Sequence, residues 1–143
     1  MGWQILFTVL SGVAVFVLGQ IFVKMVLDPA QELYKLKGDI ADALIFYANV
    51  DKRYSGIKEE ELEKAHLTYR QKASQLLARA HMLRWYRLWR FFRIVPDRKN
   101  IAAASRALIG LSNNVLDDGS NATSAKTRYQ REICRLLDLE IGE

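Results

Sequence analysis

Residue types that build most catalytic and metal sites are scarce in this chain of 143 residues. It has one cysteine, Cys134, and two histidines, His66 and His81. A lone cysteine forms no intrachain disulfide and cannot build a zinc site with two thiolates, which fits a reducing compartment. Glu63 and His66 match half of the Glu-x-x-His pattern of di-iron bundles, but no second copy is present. A glycine-rich phosphate loop and a nucleophile elbow are also missing, so we expect no enzyme activity, no metal and no cofactor.

Charge is absent from the first part of the chain. Trp3 to Val23 contain no charged residue over 21 positions, a length that spans the roughly 30 Å hydrocarbon core of a bilayer as a helix. No basic residue precedes this run and no small-residue cleavage pattern follows it, which argues against a secretory signal. We therefore expect a retained transmembrane anchor over residues 1–27 and a separate domain over residues 28–143.

The residues within and beside the anchor suggest its orientation and its packing. Lys24, with further lysines downstream, follows the apolar run, which predicts the N-terminus outside and the domain on the cytoplasmic side of an inner (plasma) membrane. Thr8, Gly12 and Gly19 fall close to one helical face, and small residues let transmembrane helices approach closely. This face is the candidate surface for packing against another transmembrane helix.

Strand-like alternation of polar and apolar residues is missing as well, and apolar residues recur instead at helical spacing. The predicted stripes are Leu33, Leu36, Ile40, Leu44 and Tyr47; Leu62, Ala65, Tyr69, Ala73, Leu76, Ala80 and Leu83; Ile101, Ala104, Leu108, Leu111 and Val115; and Tyr129, Ile133, Leu136 and Leu137. The fold expected is all-α, with one N-terminal transmembrane helix followed by a compact bundle of four or five helices.

Two local patterns refine this prediction. Asp28, Pro29 and Gln31 resemble a helix start, with Asp28 as N-cap and Gln31 closing a capping box, so the anchor should end near Leu27. The second helix is apolar on nearly every side from Ala41 to Ala48, which predicts a central position in the bundle.

The stretch HMLRWYRLWRFFRIVP, residues 81–96, combines arginines with aromatic residues. An arginine stands at every third position: Arg84, Arg87, Arg90 and Arg93. Between residues 79 and 99 there are seven basic residues and one acidic residue, a local charge of +6. A helix break is expected between His81 and Trp85. On a helical wheel Trp85, Leu88, Trp89, Phe92 and Val95 form one face, and the arginines spread over the opposite half.

Segments that combine arginines with aromatic residues occur in several functional classes. The arginine spacing resembles the sensor helix of voltage-gated channels, but that family shelters its arginines among neighbouring transmembrane helices, and one span is expected here. A groove for single-stranded nucleic acid requires arginines and aromatics on the same face, so this partner is disfavoured. Two interpretations remain: the aromatic face completes the bundle core with solvated arginines, or the stretch lies at the membrane interface.

The sequence thus predicts a membrane-anchored helical interaction module, acting as a scaffold, adaptor or accessory subunit. Its candidate site for anionic lipid or an acidic partner comprises Arg84, Arg87, Arg90, Arg93, Trp85 and Trp89. The partners expected are the lipid bilayer and a protein or a second copy of the chain. The alternative is a membrane-perturbing effector whose anchor assembles and permeabilises the bilayer.

Overall fold

Six α-helices and a π-helical turn form the part of the chain that the computed structural model describes, which is residues 2–53, 56–91 and 93–140, with only the backbone of Leu88. The helices are α1 (Gly2–Phe22), α2 (Asp28–Phe46), α3 (Glu59–Met82), α4 (Tyr86–Phe91), α5 (Arg98–Val115) and α6 (Ala122–Leu137). Within these ranges there is no strand. The predicted all-α fold, one long apolar helix followed by a helical bundle, is confirmed.

The first two helices form one helical run from Gly2 to Phe46, joined by the π-helical turn Val23–Leu27. The prediction that Asp28 caps a new helix is wrong, because Asp28 is itself helical and its backbone N–H bonds to the Val23 carbonyl. Pro29 explains the wide turn: proline has no N–H and its ring displaces the carbonyl four residues earlier, which a π-turn accommodates without ending the helix.

The α1 part of this run is long and apolar enough to cross a membrane. None of its residues is buried, so α1 extends away from the bundle.

The bundle helices alternate in direction, as three contacts show. Arg79 near the end of α3 donates to the Glu32 carbonyl at 2.7 Å, so α3 runs antiparallel to α2. The Ser105 hydroxyl donates to the Ala73 carbonyl at 3.0 Å, and the His66 ring Nδ1 lies 2.9 Å from the Ser112 carbonyl, so α5 runs antiparallel to α3. The bundle therefore has an "α1 end", where α3 ends and α5 begins, and an opposite end, where α2 and α5 end and α6 begins.

Helices α3 and α5 form the most extensive helix–helix contact of the bundle. The predicted α3 stripe is buried along its whole length, and so is the α5 stripe, whose members are at most 1% exposed. In α5 this stripe is completed by Ser105 and Ser112, whose hydroxyls bond to backbone carbonyls and so satisfy their hydrogen-bonding capacity. Helix α5 packs between α3 and α6 and is the central helix.

The predicted central position of the second helix is wrong, although its stripe is buried apart from the half-buried Tyr47. Leu36 and Ile40 are fully buried against α3, but Ile45 and Phe46 are 60% and 73% exposed. Helix α2 packs mainly on α3, with a minor contact to α6, so its other sides face outward. Apolar residues all round a helix indicate full burial only when neighbours are available on every side.

Candidate functional site

The basic segment, residues 84–93 with Arg84, Arg87, Arg90, Arg93, Trp85 and Trp89, lies at the α1 end of the bundle. Helix α3 ends at Met82, so the predicted break between His81 and Trp85 is confirmed. Trp89 and Ile94 line one groove together with Leu27 and Ala30, which belong to the junction between α1 and α2. The basic segment is thereby placed beside the residues at which α1 leaves the bundle.

The four arginines of the segment are exposed. Arg90 forms an ion pair with Asp97, with 3.4 Å between its Nη1 and the carboxylate Oδ2, and both partners are solvated. Just beyond the segment, the Arg98 guanidinium lies 4.6 Å from the centre of the Tyr86 ring. The pairing of Arg90 with Asp97 therefore offsets only part of the positive charge that the four arginines carry.

The two tryptophans of the segment have different environments. Trp89 is 8% exposed and belongs to the core, whereas Trp85 is 65% exposed. The prediction that both lie on one helical face is wrong, because the segment is not one helix: Trp85 precedes α4 and has a left-handed backbone, with φ of 60°. Val95 of the predicted face is buried. Phe92 and the side chain of Leu88 lie outside the described residues.

Contacts on either side of α4 hold this short helix in place. The Tyr86 hydroxyl donates a hydrogen bond to the Pro96 carbonyl, and the Ile94 N–H bonds to the Trp89 carbonyl at 3.1 Å. Burial, and secondly the charge of Asp97, raises the pKa of Tyr86 to about 12, so this hydroxyl remains a donor at neutral pH. Arg93 ends the segment with a second left-handed backbone, at φ of 55°. The exposed arginines therefore lie on α4 and its flanking turns, which these hydrogen bonds hold in place.

Apolar side chains are exposed among these arginines. Met82, Trp85, Phe91 and Ile94 all have more than two fifths of their surface exposed at this end of the bundle. Guanidinium groups and exposed aromatic rings on one surface are the combination favoured at lipid headgroup depth. This surface therefore presents both guanidinium groups and aromatic rings, although the arginines and the aromatic residues do not occupy opposite faces of one helix.

The candidate packing face of α1 is exposed throughout. A methyl group added at Gly12 or Gly19 would meet nothing within 4 Å. The Thr8 hydroxyl donates to the Gln4 carbonyl at 2.9 Å, so its hydrogen bond is made within its own helix. The face is open to another helix, and its role in packing stays a prediction.

A buried ionic cluster at the opposite end of the bundle was not anticipated from the sequence. Lys126 of α6 is 6% exposed, and its ammonium lies 2.6 Å from the Ala48 carbonyl and 3.2 Å from the Asp51 carboxylate. Arg53 donates to the same carboxylate at 2.7 Å. Burial raises the pKa of Asp51, but hydrogen bonds from Arg53 and Lys126 outweigh it and hold that pKa below its ordinary value.

A sequence signal for this cluster exists. Lys126 stands three residues before Tyr129 and seven before Ile133, so it continues the apolar stripe of α6. A lysine in such a stripe is either buried with a partner or marks the end of the stripe, and here it is buried. Its ammonium holds the carbonyl-bearing end of α2 and therefore connects α6 to α2.

No family model, curated protein or solved structure matches the chain. Among the described residues there is also no group of three or more histidine, cysteine, aspartate or glutamate side chains placed to bind a metal ion.

Proposed function

We propose that this protein is a single-pass membrane-anchored interaction module, a scaffold, adaptor or accessory subunit without catalytic activity. In this proposal residues 1–27 are the anchor and residues 28–143 form a helical domain on the cytoplasmic face of an inner (plasma) membrane. The observation that carries the proposal is the position of the basic segment beside the α1–α2 junction.

The exposed surface of α1 supports the anchor. The helix is 21 residues long, carries no charge and buries none of its side chains in the bundle. Exposing apolar surface to water costs about 25 cal/mol of free energy per Å², so this helix requires lipid or another protein around it. A span of about 30 Å matches the hydrocarbon core of a bilayer.

Charge supports the cytoplasmic orientation. Lys24 follows the apolar helix directly, and Arg98 and Lys99 begin α5 at the same end of the bundle as the four arginines. Basic residues next to a span are retained on the cytoplasmic side, and anionic lipids on that side attract them. Each exposed arginine near the surface contributes about 1 kcal/mol to that attraction.

The surface of α2 supports an interaction role. Phe46 is 73% exposed and lines a groove between α2 and α3 with Tyr47, Thr68 and Lys72. An exposed aromatic side chain within a groove is typical of a protein-contacting surface. A bundle held at the membrane through its α1 end would present this surface toward the cytoplasm.

Trypsin protection in vesicles tests the membrane contact with the full-length chain. We expect cleavage after Arg84, Arg87 and Arg93 to be slowed in anionic phosphatidylglycerol vesicles, and restored in phosphatidylcholine vesicles or in high salt. Exposed Lys58, in the loop before α3 at the opposite end, is the internal control and should be cleaved equally in all conditions. Equal cleavage of the arginines in both lipids would contradict the membrane contact.

Dye release separates this proposal from the membrane-perturbing alternative. An anchored module should leave dye-loaded vesicles intact at any ratio of protein to lipid. Release that rises with the protein-to-lipid ratio, and is lost when Gly12 and Gly19 are replaced by leucine, would favour an effector whose anchors assemble.

A further inference from the structure

A pocket rich in arginine lies between α4 and the beginning of α5. The residues that line it include Trp85, Tyr86, Arg87, Arg90, Asp97 and Arg98. Three guanidinium groups stand against one carboxylate among these residues, which gives the wall a net charge of +2. We call this site the arginine pocket. It lies at the α1 end of the bundle, where, under the proposed function, lipid headgroups begin.

Two of the three guanidinium groups are held in position by the protein. The Arg98 guanidinium lies 4.6 Å from the centre of the buried Tyr86 ring, and the Tyr86 hydroxyl donates to the Pro96 carbonyl. Arg90 lies 3.4 Å from the carboxylate of Asp97, the residue directly before Arg98. Side chains that are ordered before a ligand arrives lose less conformational entropy on binding. The pocket is therefore partly preorganised for a ligand that contacts both arginines.

Arg87 supplies the third guanidinium group. It stands three residues before Arg90 on α4, and residues three apart are neighbours on one helix surface. The Arg87 side chain is exposed and lines the same pocket. Three guanidinium groups thus border one space, whereas the carboxylate in the wall lies beside Arg90.

The sequence at the beginning of α5 increases the positive potential at the pocket. Arg98 and Lys99 occupy the first turn of this helix, which contains no acidic residue. A helix dipole disfavours positive charge in the first turn, so these two residues lie where their charge is destabilising. Asp97 precedes them, but its carboxylate makes no capping hydrogen bond with the helix and offsets one charge. A bound anion would offset the remainder.

We propose that the arginine pocket binds the phosphomonoester headgroup of a membrane lipid, as in phosphatidic acid. A phosphomonoester carries a charge of about −1.5 to −2 at pH 7 and offers three strong acceptor oxygens, which matches the charge of the pocket and its three guanidinium groups. A carboxylate or a phosphodiester carries one charge, and a single arginine is sufficient to pair with it. The inference rests on the proposed membrane location and deepens it, because it names the lipid class that this surface selects.

The surroundings of the pocket favour a lipid as the source of the phosphomonoester. Trp85 lines the pocket and is 65% exposed. Exposed indole rings are favoured at headgroup depth, where the ring meets the apolar part of the lipid. A soluble phosphate ester has no acyl chain to contact such a ring.

Native mass spectrometry of the full-length chain, released from detergent at pH 8 with added lipid, tests the pocket. We expect a one-to-one adduct with phosphatidic acid that is about tenfold stronger than the adduct with phosphatidylglycerol, a phosphodiester. That ratio is the contribution of about one further hydrogen bond between charged groups. Arg87→Gln and Arg98→Gln should each weaken the phosphatidic acid adduct about tenfold, because each removes one guanidinium group from the pocket.

Arg84→Gln is the matched control. Arg84 is exposed on the same segment but does not line the pocket, and its replacement removes the same charge. The preference for phosphatidic acid should therefore be unchanged in this variant. If Arg84→Gln weakens the adduct as much as Arg87→Gln does, net charge alone explains the binding and the pocket is overturned. Equal adducts of the two lipids with the wild type would also overturn it.

Two further measurements keep the test decisive. Circular dichroism checks the helical content, and exposed Arg87→Gln decides the outcome if Arg98→Gln, which also loses the contact with Tyr86, alters the fold. Glycerol 3-phosphate identifies the source of the phosphomonoester. It should displace phosphatidic acid only in large excess, because it has no acyl chains. Displacement at equal concentration would overturn the assignment to a lipid.

The outcomes also separate this inference from the proposed function. If the arginines are protected from trypsin on anionic vesicles while the two lipids form equal adducts, the membrane contact stands and the pocket is not selective. If the adduct depends on Arg87 and Arg98 but the arginines stay cleavable on vesicles, the pocket binds a phosphomonoester and the proposed surface contact is wrong.

Discussion

Replacing Lys126 by methionine tests the buried cluster at the end of the bundle opposite α1. Methionine keeps an unbranched side chain of similar length and removes the ammonium. The Ala48 carbonyl then loses a donor at 2.6 Å, and the Asp51 carboxylate, 2% exposed, loses one at 3.2 Å. The contact between α6 and the end of α2 loses its charged component.

The expected loss of stability follows from burial. Removing one partner of a buried ion pair typically costs about 3 to 5 kcal/mol, because the remaining charge is left unpaired. Asp51 keeps its bonds from Arg53, which lie at 2.7 and 3.1 Å, so we expect the lower end, about 3 kcal/mol. For a domain of this size that corresponds to a fall of roughly 12 °C in the midpoint of thermal unfolding.

Thermal unfolding in detergent, followed by circular dichroism, measures this loss, and Lys64→Met is its control. Lys64 and Glu60 form a closer pair, at 2.7 Å, but both side chains are exposed, so the control should leave the midpoint unchanged. If distance rather than burial decided how much an ion pair contributes to stability, the control would be the more destabilised variant. Equal midpoints for both variants and the wild type would refute the reasoning.

The same variant predicts a dependence on pH. The pKa of Asp51 is lowered in the folded state, so its contribution to stability is present above the ordinary carboxyl pKa of about 4 and is lost as the pH falls through the folded value. Wild type and Lys126→Met should therefore differ most near neutral pH and converge in acid. A difference that stays constant down to acid pH would show that lost packing, not charge, explains the effect.

Three further predictions follow from the packing and the orientation. Leu108→Ala, at a fully buried site of the central helix, should cost about 2 to 5 kcal/mol, and an unchanged midpoint would show that this face is not core. Gly110→Ala would place a methyl group 2.7 Å from the Tyr129 ring and should cost about 1 to 3 kcal/mol of stability. The control Gly38→Ala, with open space around the added methyl group, should be neutral or stabilising. Equal effects of the two substitutions would contradict the close packing of α5 on α6. A single cysteine at exposed Asp118 should resist impermeant thiol reagents in intact cells, and labelling there would reverse the orientation.

The parts of the fold that depend on periodicity were predictable. Tyr69 and Leu108 lie in apolar stripes at helical spacing, and both are fully buried. Burial along one face is what such spacing predicts whenever a partner helix is present on that side. The end of α3 at Met82 was also predictable, because a helix extended to Val95 would be about 57 Å long and would outrun its neighbours.

The parts of the fold that depend on tertiary context were not predictable from the sequence. Asp28 has the sequence of an N-cap, but a π-turn absorbs Pro29 and the helix continues, an outcome that local residue preferences do not distinguish from a restart. Trp85 and Trp89 share a face only on a continuous helix, and the left-handed backbone at Trp85 interrupts the helix there. The pairing of Lys126 with Asp51 joins residues 75 positions apart, which no local pattern encodes.

The central claim is that the basic segment holds the bundle against anionic lipid, and binding of residues 28–143 to vesicles tests it most directly. We expect this fragment to bind phosphatidylglycerol vesicles in low salt, and to lose roughly a hundred- to thousandfold in affinity when Arg84, Arg87, Arg90 and Arg93 become glutamine, at about 1 kcal/mol per arginine with Arg90 partly offset by Asp97. The variant should keep the helical content of the wild type, because all four side chains are exposed. A folded fragment that ignores anionic vesicles in low salt, or binds them equally without the four arginines, would contradict the account.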